Sequence, residues 1–181
     1  ELAAAAASVS ASAASRDGLV ARIAATRDRF SGALFDTVRN TAAATLATAD
    51  KCRWLDALAA AGVREIEVAS FVPARLLPQM ADAAEVVRHA LTLPGVTVMA
   101  LVPNLRGAVA AIQAGVHKLT MPVSASAAHS LANVRKTREQ MVEEVRAIAR
   151  LRDEIAPGIK LEAGISTAFG CTLQGEVPED E

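Results

Sequence analysis

Helical and strand-like patterns of apolar residues alternate along the chain from residue 48 onward. Within residues 50–61, three large apolar residues recur at helical spacing: Trp54, Leu55 and Leu58. Gly62 follows them, as expected of a residue that stops a helix. Residues 64–70 are then β-branched and apolar enough to predict a strand. The pattern thus predicts a helix that leads directly into a strand.

The same alternation continues through the rest of the chain. Further helices are predicted over residues 79–91, 105–114 and 134–155. Further strands are predicted over residues 96–102, 118–123 and 159–165, and a loop of small residues over 124–132. Repeated strand–helix units are typical of a parallel sheet with right-handed crossovers. Four such units are visible, and the N-terminal region has room for a fifth. A complete eightfold barrel needs about 200–250 residues. The predicted fold class is therefore α/β, as a partial (β/α)8 TIM barrel with four to five βα units.

The chain divides into two regions of different composition. Residues 1–47 are rich in Ala, Ser and Arg without a clear period, whereas residues 48–181 carry the barrel pattern. The net charge of -1 gives no indication of a nucleic-acid partner. No apolar run approaches the ~20 residues of a membrane helix, and the Ala-rich start lacks the basic segment of a signal peptide. The two cysteines fit neither a disulfide framework nor a metal spacing, and a cytoplasmic location is predicted.

Glu67 is the most informative polar position, because it lies between Ile66 and Val68 in the first predicted strand. A carboxylate buried in such a strand costs several kcal/mol unless it is paired or binds a cation. Its strand leads into a loop of the kind that carries the chemistry of α/β barrels. Two interpretations are open at this point: a Glu balanced by a neighbouring Arg or Lys, or a residue of a functional site.

Several motifs resemble those of the 3-hydroxy-3-methylglutaryl-CoA lyase family: GVREIEVASFVP (62–73), PQMAD (78–82), LVPNLRG (101–107), FGC (169–171) and GEV (175–177). Related citramalyl-CoA lyases share this barrel and these motifs. The resemblance covers about residues 48–181. It implies a lyase that cleaves a 3-hydroxyacyl-CoA, such as 3-hydroxy-3-methylglutaryl-CoA, to acetyl-CoA and a keto acid. It also implies a divalent cation, Mg²⁺ or Mn²⁺, most of whose expected ligands, among them a His-x-His pair, are absent from this sequence.

The resemblance also assigns roles to individual residues. Arg16 would neutralise the thioester carbonyl and Asp17 would bind the metal, because they begin the Arg-Asp-Gly-Leu motif that ends the family's first strand. Glu67 would support the site, and Ser70 would present a hydroxyl to the substrate. Asn104 would meet the CoA thioester or its phosphates. The alternative role of Asn104 is the N-cap of the following helix, and both roles are compatible.

A competing register places Arg39 and Asn40 at the end of the first strand, after Phe35-Asp36-Thr37. This register resembles the wider barrel group that contains isopropylmalate synthases. That register would favour a carbon–carbon bond-forming synthase of this group. The leading expectation is the N-terminal half of a lyase-like barrel, with little or no activity as it stands. The alternative expectation is a non-catalytic half-barrel that is stable only as a homo-oligomer, because its open strand edges invite self-association.

Overall fold

The computed structural model of the protein describes residues 46–178, which belong to one compact unit, Leu46–Glu181. The helices are α1 (Thr48–Ala60), α2 (Ala83–Ala90), α3 (Leu105–Ala114), α4 (Ala127–Val134) and α5 (Arg138–Ile155), and a 3-10 turn covers Pro78–Met80. The strands are β1 (Glu65–Ser70), β2 (Thr97–Leu101), β3 (Lys118–Ser124) and β4 (Lys160–Ser166). None of the described helices is long and apolar enough to cross a membrane.

The described strands form one sheet in the order β1-β2-β3-β4, and every neighbouring pair is parallel. Chain order and spatial order coincide because each strand is joined to the next through helices. The longest pairing runs from Lys118–Lys160 to Ser124–Ser166, whereas the register of β1 against β2 shifts between Glu67 and Ala69. The predicted α/β class and its four visible βα units are therefore confirmed. The predicted fifth unit and most of region 1–47 lie outside the described residues.

Three predicted segments differ from the structure. Residues 124–132 were expected to be a loop, yet α4 begins at Ala127 because the Ser126 hydroxyl accepts a hydrogen bond from the N–H of His129 at 3.1 Å. The helix predicted over 134–155 begins only at Arg138, where Thr137 and Gln140 form a capping box. The helix predicted over 79–91 is also interrupted, because a 3-10 turn precedes α2.

The hydrophobic core lies between one face of the sheet and the helices. Its fully buried side chains include Val87, Val98, Leu119 and Ile148. From α5, Met141 and Ile148 are both fully buried. The opposite face of the sheet carries the polar side chains of β1, β3 and β4. In a closed barrel the second face of each strand points toward the barrel axis, so this polar face is the one that can carry chemistry.

Candidate functional site

Glu67 projects from the polar face of the sheet and accepts a hydrogen bond from the hydroxyl of Thr120, two strands away. Its side chain is exposed in the part of the chain that the structure describes. The expectation of a buried carboxylate is therefore wrong, because the register of β1 shifts between Glu67 and Ala69, and Ile66, Val68 and Ala69 are the residues that pack in or against the core. Of the two interpretations left open for Glu67, a partner Arg or Lys is not what the structure shows among residues 46–178, where the partner is a hydroxyl.

The nearest cation on this face is held by other acids. The Lys118 ammonium lies between Glu65 and Glu162, with its Nζ 3.0 Å from Oε2 of Glu162. The hydrogen bond to Glu65, followed by that to Glu162, raises the pKa of Lys118 above its usual range. Glu65 and Lys118 are the first residues of their strands, whereas Glu162 is level with Thr120 in the register of β3 against β4. Glu67 is bonded to the Thr120 hydroxyl and not to this lysine.

Two of the predicted site residues, Glu67 and Ser70, line one pocket of about 290 Å³. The pocket lies between β1, α1 and α2, and its apolar wall includes Trp54, Leu58 and Met80. The structure thus brings together two residues that the sequence assigned to one site. The pocket combines a carboxylate, a hydroxyl and an apolar wall, a combination typical of small-molecule sites.

Asn104 lines a different cleft, of about 480 Å³, between α2 and α3. Its Oδ1 accepts a hydrogen bond from the N–H of Gly107 at 2.9 Å, so the predicted N-cap role is present. The side-chain nitrogen of Asn104 has no hydrogen-bond partner among residues 46–178 and remains able to donate to a ligand. The predicted substrate-binding role of Asn104 stays a prediction.

The sequence analysis missed a polar cluster at the carboxyl ends of β3 and β4. The Ser124 hydroxyl lies 2.8 Å from Nδ1 of His129 and 3.3 Å from the Ser166 hydroxyl. The Ser126 N–H donates to Oγ1 of Thr167 at 3.1 Å, and Thr167 has a φ of 60°. A β-branched residue in this left-handed region is strained, and such strain concentrates at functional sites. Ser124 and Ser126, at the end of a predicted strand and just after it, are the sequence signal that could have indicated this cluster.

Cys171 follows β4 in the same neighbourhood. The hydroxyl of Ser126 lowers the pKa of its thiol, burial opposes this effect, and the N–H groups of Leu173 and Gln174 reinforce it. The Leu173 N–H lies 3.3 Å from the sulfur. The pKa of Cys171 is consequently below that of an ordinary cysteine.

The described residues do not by themselves fit a divalent cation. Within residues 46–178, no three His, Cys, Asp or Glu side chains lie together in a way that could hold a metal ion. Mg²⁺ and Mn²⁺ need several oxygen ligands, and Glu67 supplies a single carboxylate. The predicted metal ligand Asp17, its neighbour Arg16 and the competing pair Arg39 and Asn40 all lie outside the described residues.

Comparison with known proteins identifies relatives that belong to one family. The HMGL-like family model matches residues 38–180. The chain is 39% identical over 129 residues to the 3-hydroxy-3-isohexenylglutaryl-CoA/hydroxy-methylglutaryl-CoA lyase of Pseudomonas aeruginosa, covering 71% of this chain and 42% of that protein. It is 32% identical over 136 residues to hydroxymethylglutaryl-CoA lyase YngG of Bacillus subtilis, covering 75% of this chain and 45% of the relative. The chain thus spans about half the length of the curated relatives it matches.

Solved structures resemble the described fold closely. The crystal structure of hydroxymethylglutaryl-CoA lyase from Pseudomonas aeruginosa matches with a TM-score of 0.69 and 35% identity, over 75% of this chain and 45% of that one. An HMG-CoA lyase from Acinetobacter baumannii, in complex with coenzyme A and 3-methylmalate, matches with a TM-score of 0.70 and 28% identity, over 76% of this chain and 44% of that one. With a family model that matches most of the sequence, the chain belongs to the HMGL-like family, and its four described βα units are part of the TIM barrel of the HMG-CoA lyases.

Proposed function

We propose that this chain contributes the first part of a carbon–carbon lyase site that cleaves a 3-hydroxyacyl-CoA, such as 3-hydroxy-3-methylglutaryl-CoA, to acetyl-CoA and a keto acid. The observation that carries the proposal is the pocket shared by Glu67 and Ser70 on β1. Membership of the HMGL-like family supports the reaction class. The coenzyme A in one related structure supports an acyl-CoA ligand.

The reaction defines what the site must do. The 3-hydroxyl of the substrate loses its proton, the bond between C2 and C3 breaks, and C3 becomes a keto carbon. The electron pair of the broken bond stays on C2 as the enolate of acetyl-CoA, which then takes up a proton. Glu67 would orient the substrate by accepting a hydrogen bond at its side-chain oxygens, and Ser70 would donate a hydrogen bond to a substrate oxygen. Arg16 and Asp17 keep their predicted roles toward the thioester carbonyl and the metal.

We also propose that the chain on its own has little or no lyase activity. The family is expected to use a divalent cation, and the donor set of residues 46–178 does not fit one. The test is acetyl-CoA release from 3-hydroxy-3-methylglutaryl-CoA with added Mg²⁺ or Mn²⁺. Turnover far below about 1–1,000 s⁻¹, the ordinary range for enzymes, is expected. A rate within that range would overturn this part of the proposal.

The reaction class is tested by a chimera. The segment of the Pseudomonas aeruginosa lyase that matches this chain is replaced by the corresponding residues of this chain, which are 39% identical to it. The expected result is a folded chimera that releases acetyl-CoA from 3-hydroxy-3-methylglutaryl-CoA in the presence of Mg²⁺. A chimera with a native circular dichroism spectrum and no product above background contradicts the proposal. If the chimera cleaves only a citramalyl-CoA, the proposed substrate is wrong and the proposed reaction class is supported.

A second candidate function is self-association through β4. The outer edge of β4 has no strand partner among residues 46–178, Ile165 is 67% exposed, and Phe169, just beyond the strand, is 99% exposed. Open strand edges with apolar side chains favour pairing with a second copy. Sedimentation analysis is expected to detect a dimer or larger species, and Ile165→Lys is expected to shift it toward monomer. A wild-type chain that sediments only as a monomer contradicts this candidate.

A cytoplasmic location remains a prediction.

A further inference from the structure

The polar face of the sheet continues along β3 to the carboxyl end of that strand. Lys118, Thr120 and Ser124 are separated by even numbers of residues, so their side chains project to the same face of the strand. Leu119 and Met121, which lie between them, belong to the core on the other face. Ser124 therefore lies on the polar face at the end of the strand where α/β barrels carry their chemistry.

Ser124 is the middle of a chain of hydrogen bonds that runs from an imidazole ring to a backbone carbonyl. Its Oγ lies 2.8 Å from Nδ1 of His129 and 3.3 Å from Oγ of Ser166. The Ser166 hydroxyl in turn donates to the carbonyl oxygen of Val123 at 3.1 Å. Because each hydroxyl has one proton, all three bonds form together only when Nδ1–H of His129 donates to Ser124 and Ser124 donates to Ser166. The chain thus assigns the proton of the neutral ring to Nδ1.

The other ring nitrogen of His129 is left open by this arrangement. Nε2 has no hydrogen-bond partner among residues 46–178, and the residue is only partly buried. A second proton on Nε2 leaves the chain of donors unchanged, because Nδ1 donates in the neutral ring and in the imidazolium alike. His129 can therefore present a charged N–H at the polar face without any rearrangement of Ser124 and Ser166.

The other charges at this end of the sheet are also positive. Nη1 of Arg138, on α5, donates to the carbonyl oxygen of Ala125 at 3.0 Å. Helix α4 begins two residues before His129, so the positive end of its backbone dipole lies here as well. The Cys171 thiol is a further ionisable group nearby, and the hydroxyl of Ser126 is its partner. No Asp or Glu side chain bonds to His129 in the part of the chain that the structure describes. This end of the sheet is therefore suited to an anion.

We infer that His129 binds the free carboxylate of the 3-hydroxyacyl-CoA, the group that leaves with the keto acid, and that Ser124 is the residue that positions its ring. Thr120, the partner of Glu67, lies four residues before Ser124, which is about 13 Å along the strand. Glu67 and His129 therefore hold different parts of one substrate. Glu67 would repel a carboxylate, whereas an imidazolium pairs with one. The inference rests on the proposed function, because the substrate class is the one proposed there.

The test is titration of the full chain with acetoacetate, the keto acid that cleavage of 3-hydroxy-3-methylglutaryl-CoA releases. The titration is run at about pH 6.5, where histidine side chains ordinarily exist in both protonation states. The ¹⁵N NMR signals of the His129 ring report which nitrogen carries a proton. In the free chain the neutral ring is expected to be protonated at Nδ1, and acetoacetate is expected to add a proton at Nε2.

Three variants separate the ring from its support. His129→Gln is expected to weaken acetoacetate binding about tenfold, the cost of one charged hydrogen bond. His89→Gln is the matched control, because His89 pairs with Asp56 between α1 and α2, and it is expected to change binding little. Ser124→Ala is expected to weaken binding less than His129→Gln and to leave the neutral ring as a mixture of its two tautomers. A purely structural role of Ser124 would leave the tautomer unchanged.

Three results would overturn the inference. One is the absence of acetoacetate binding at millimolar concentration, or binding that leaves the ¹⁵N signals of the His129 ring unchanged. Another is an equal loss of affinity in His129→Gln and His89→Gln. A third is binding of the uncharged methyl acetoacetate, or of inorganic phosphate, as tightly as acetoacetate. Failure here leaves the chimera assay untouched, because that assay reports acetyl-CoA release and not contact with the carboxylate.

Discussion

Replacement of Gly107 by Ala tests the close packing that shapes the cleft between α2 and α3. A Cβ at this position would lie 2.6 Å from the carbonyl oxygen of Phe71 and 3.4 Å from Cδ of Pro103. Carbon–oxygen contacts in proteins are ordinarily about 3.3–3.6 Å. The added methyl group would therefore overlap a backbone atom by about 0.7–1 Å. A backbone carbonyl cannot rotate away as a flexible side chain would, and the N–H of Phe71 is bonded to the carbonyl oxygen of Leu101 at 2.8 Å.

Two effects of opposite sign decide the size of the change. Gly107 is in the first turn of α3, and replacement of a helical Gly by Ala ordinarily stabilises by about 0.8–1 kcal/mol. Overpacking of a closely packed site costs about 1–3 kcal/mol. The steric term is at the upper end of its range because the contact is with backbone. We expect Gly107→Ala to lower the free energy of unfolding by about 1–2 kcal/mol.

Urea denaturation followed by circular dichroism measures this change. Gly164→Ala in β4 is the control, since a Cβ at Gly164 meets nothing within 4 Å. The control is expected to unfold at the wild-type urea midpoint or slightly above it. If Gly107→Ala unfolds at or above the wild-type midpoint, helix propensity outweighs the packing term. That outcome would refute the rigid approach of α3 to the loop after β1.

Further predictions concern charge and core packing. Burial alone would raise the carboxyl pKa of both Asp82 and Glu144, but hydrogen bonds outweigh burial and hold each pKa below its usual range. Lys51 and Thr48 donate to Asp82. Lys136 and the N–H of Leu105 donate to Glu144. Because the folded pKa is depressed, the stability they contribute is present above the unfolded values of about 3.9 and 4.3 and is lost as pH falls through the lower folded values. The urea midpoint of the wild-type chain should therefore fall as the pH is lowered from neutral to 3, and it should fall less in Asp82→Asn and Glu144→Gln. A pH dependence equal to that of the wild type in these variants would contradict the depressed pKa of the two carboxyl groups. Ile148→Ala, at a fully buried position, should cost about 2–5 kcal/mol in the same assay, whereas a cost below about 1 kcal/mol would show that α5 is loosely packed on the sheet.

The regular part of the fold was predictable from the sequence because its signals were local and strong. Helix α3 has the predicted bounds, since Asn104 caps its start and Gly115, with a φ of 89°, ends it. Strands β1, β2 and β3 were predicted within one residue at each end, because their apolar runs are bounded by polar or turn residues. Four parallel strands in chain order followed from the strand–helix alternation alone.

Other features depend on contacts that no local pattern contains. Helix α4 was missed because its small residues lack an apolar stripe, and its start depends on the Ser126 cap. The burial of Glu67 was misjudged, because a run of apolar neighbours does not reveal that one face of the strand is covered and the other is open. Its partner Thr120 is 53 residues away in sequence, and only the sheet brings the two together. The cleft lined by Asn104 likewise requires the packing of α2 against α3.

The central claim is that the pocket lined by Glu67 and Ser70 on β1 belongs to a carbon–carbon lyase site. The most direct measurement is the rate of acetyl-CoA release by the chimeric lyase with Glu67→Gln, compared with Glu65→Gln on the same strand. Glu65 is a matched control because it projects from the same face but pairs with Lys118 at the amino end. The account predicts that Glu67→Gln slows release about 10–100-fold, the cost of a charged hydrogen bond lost at the site. It predicts a rate close to that of the unsubstituted chimera for Glu65→Gln. Equal rates for the two variants would contradict the claim.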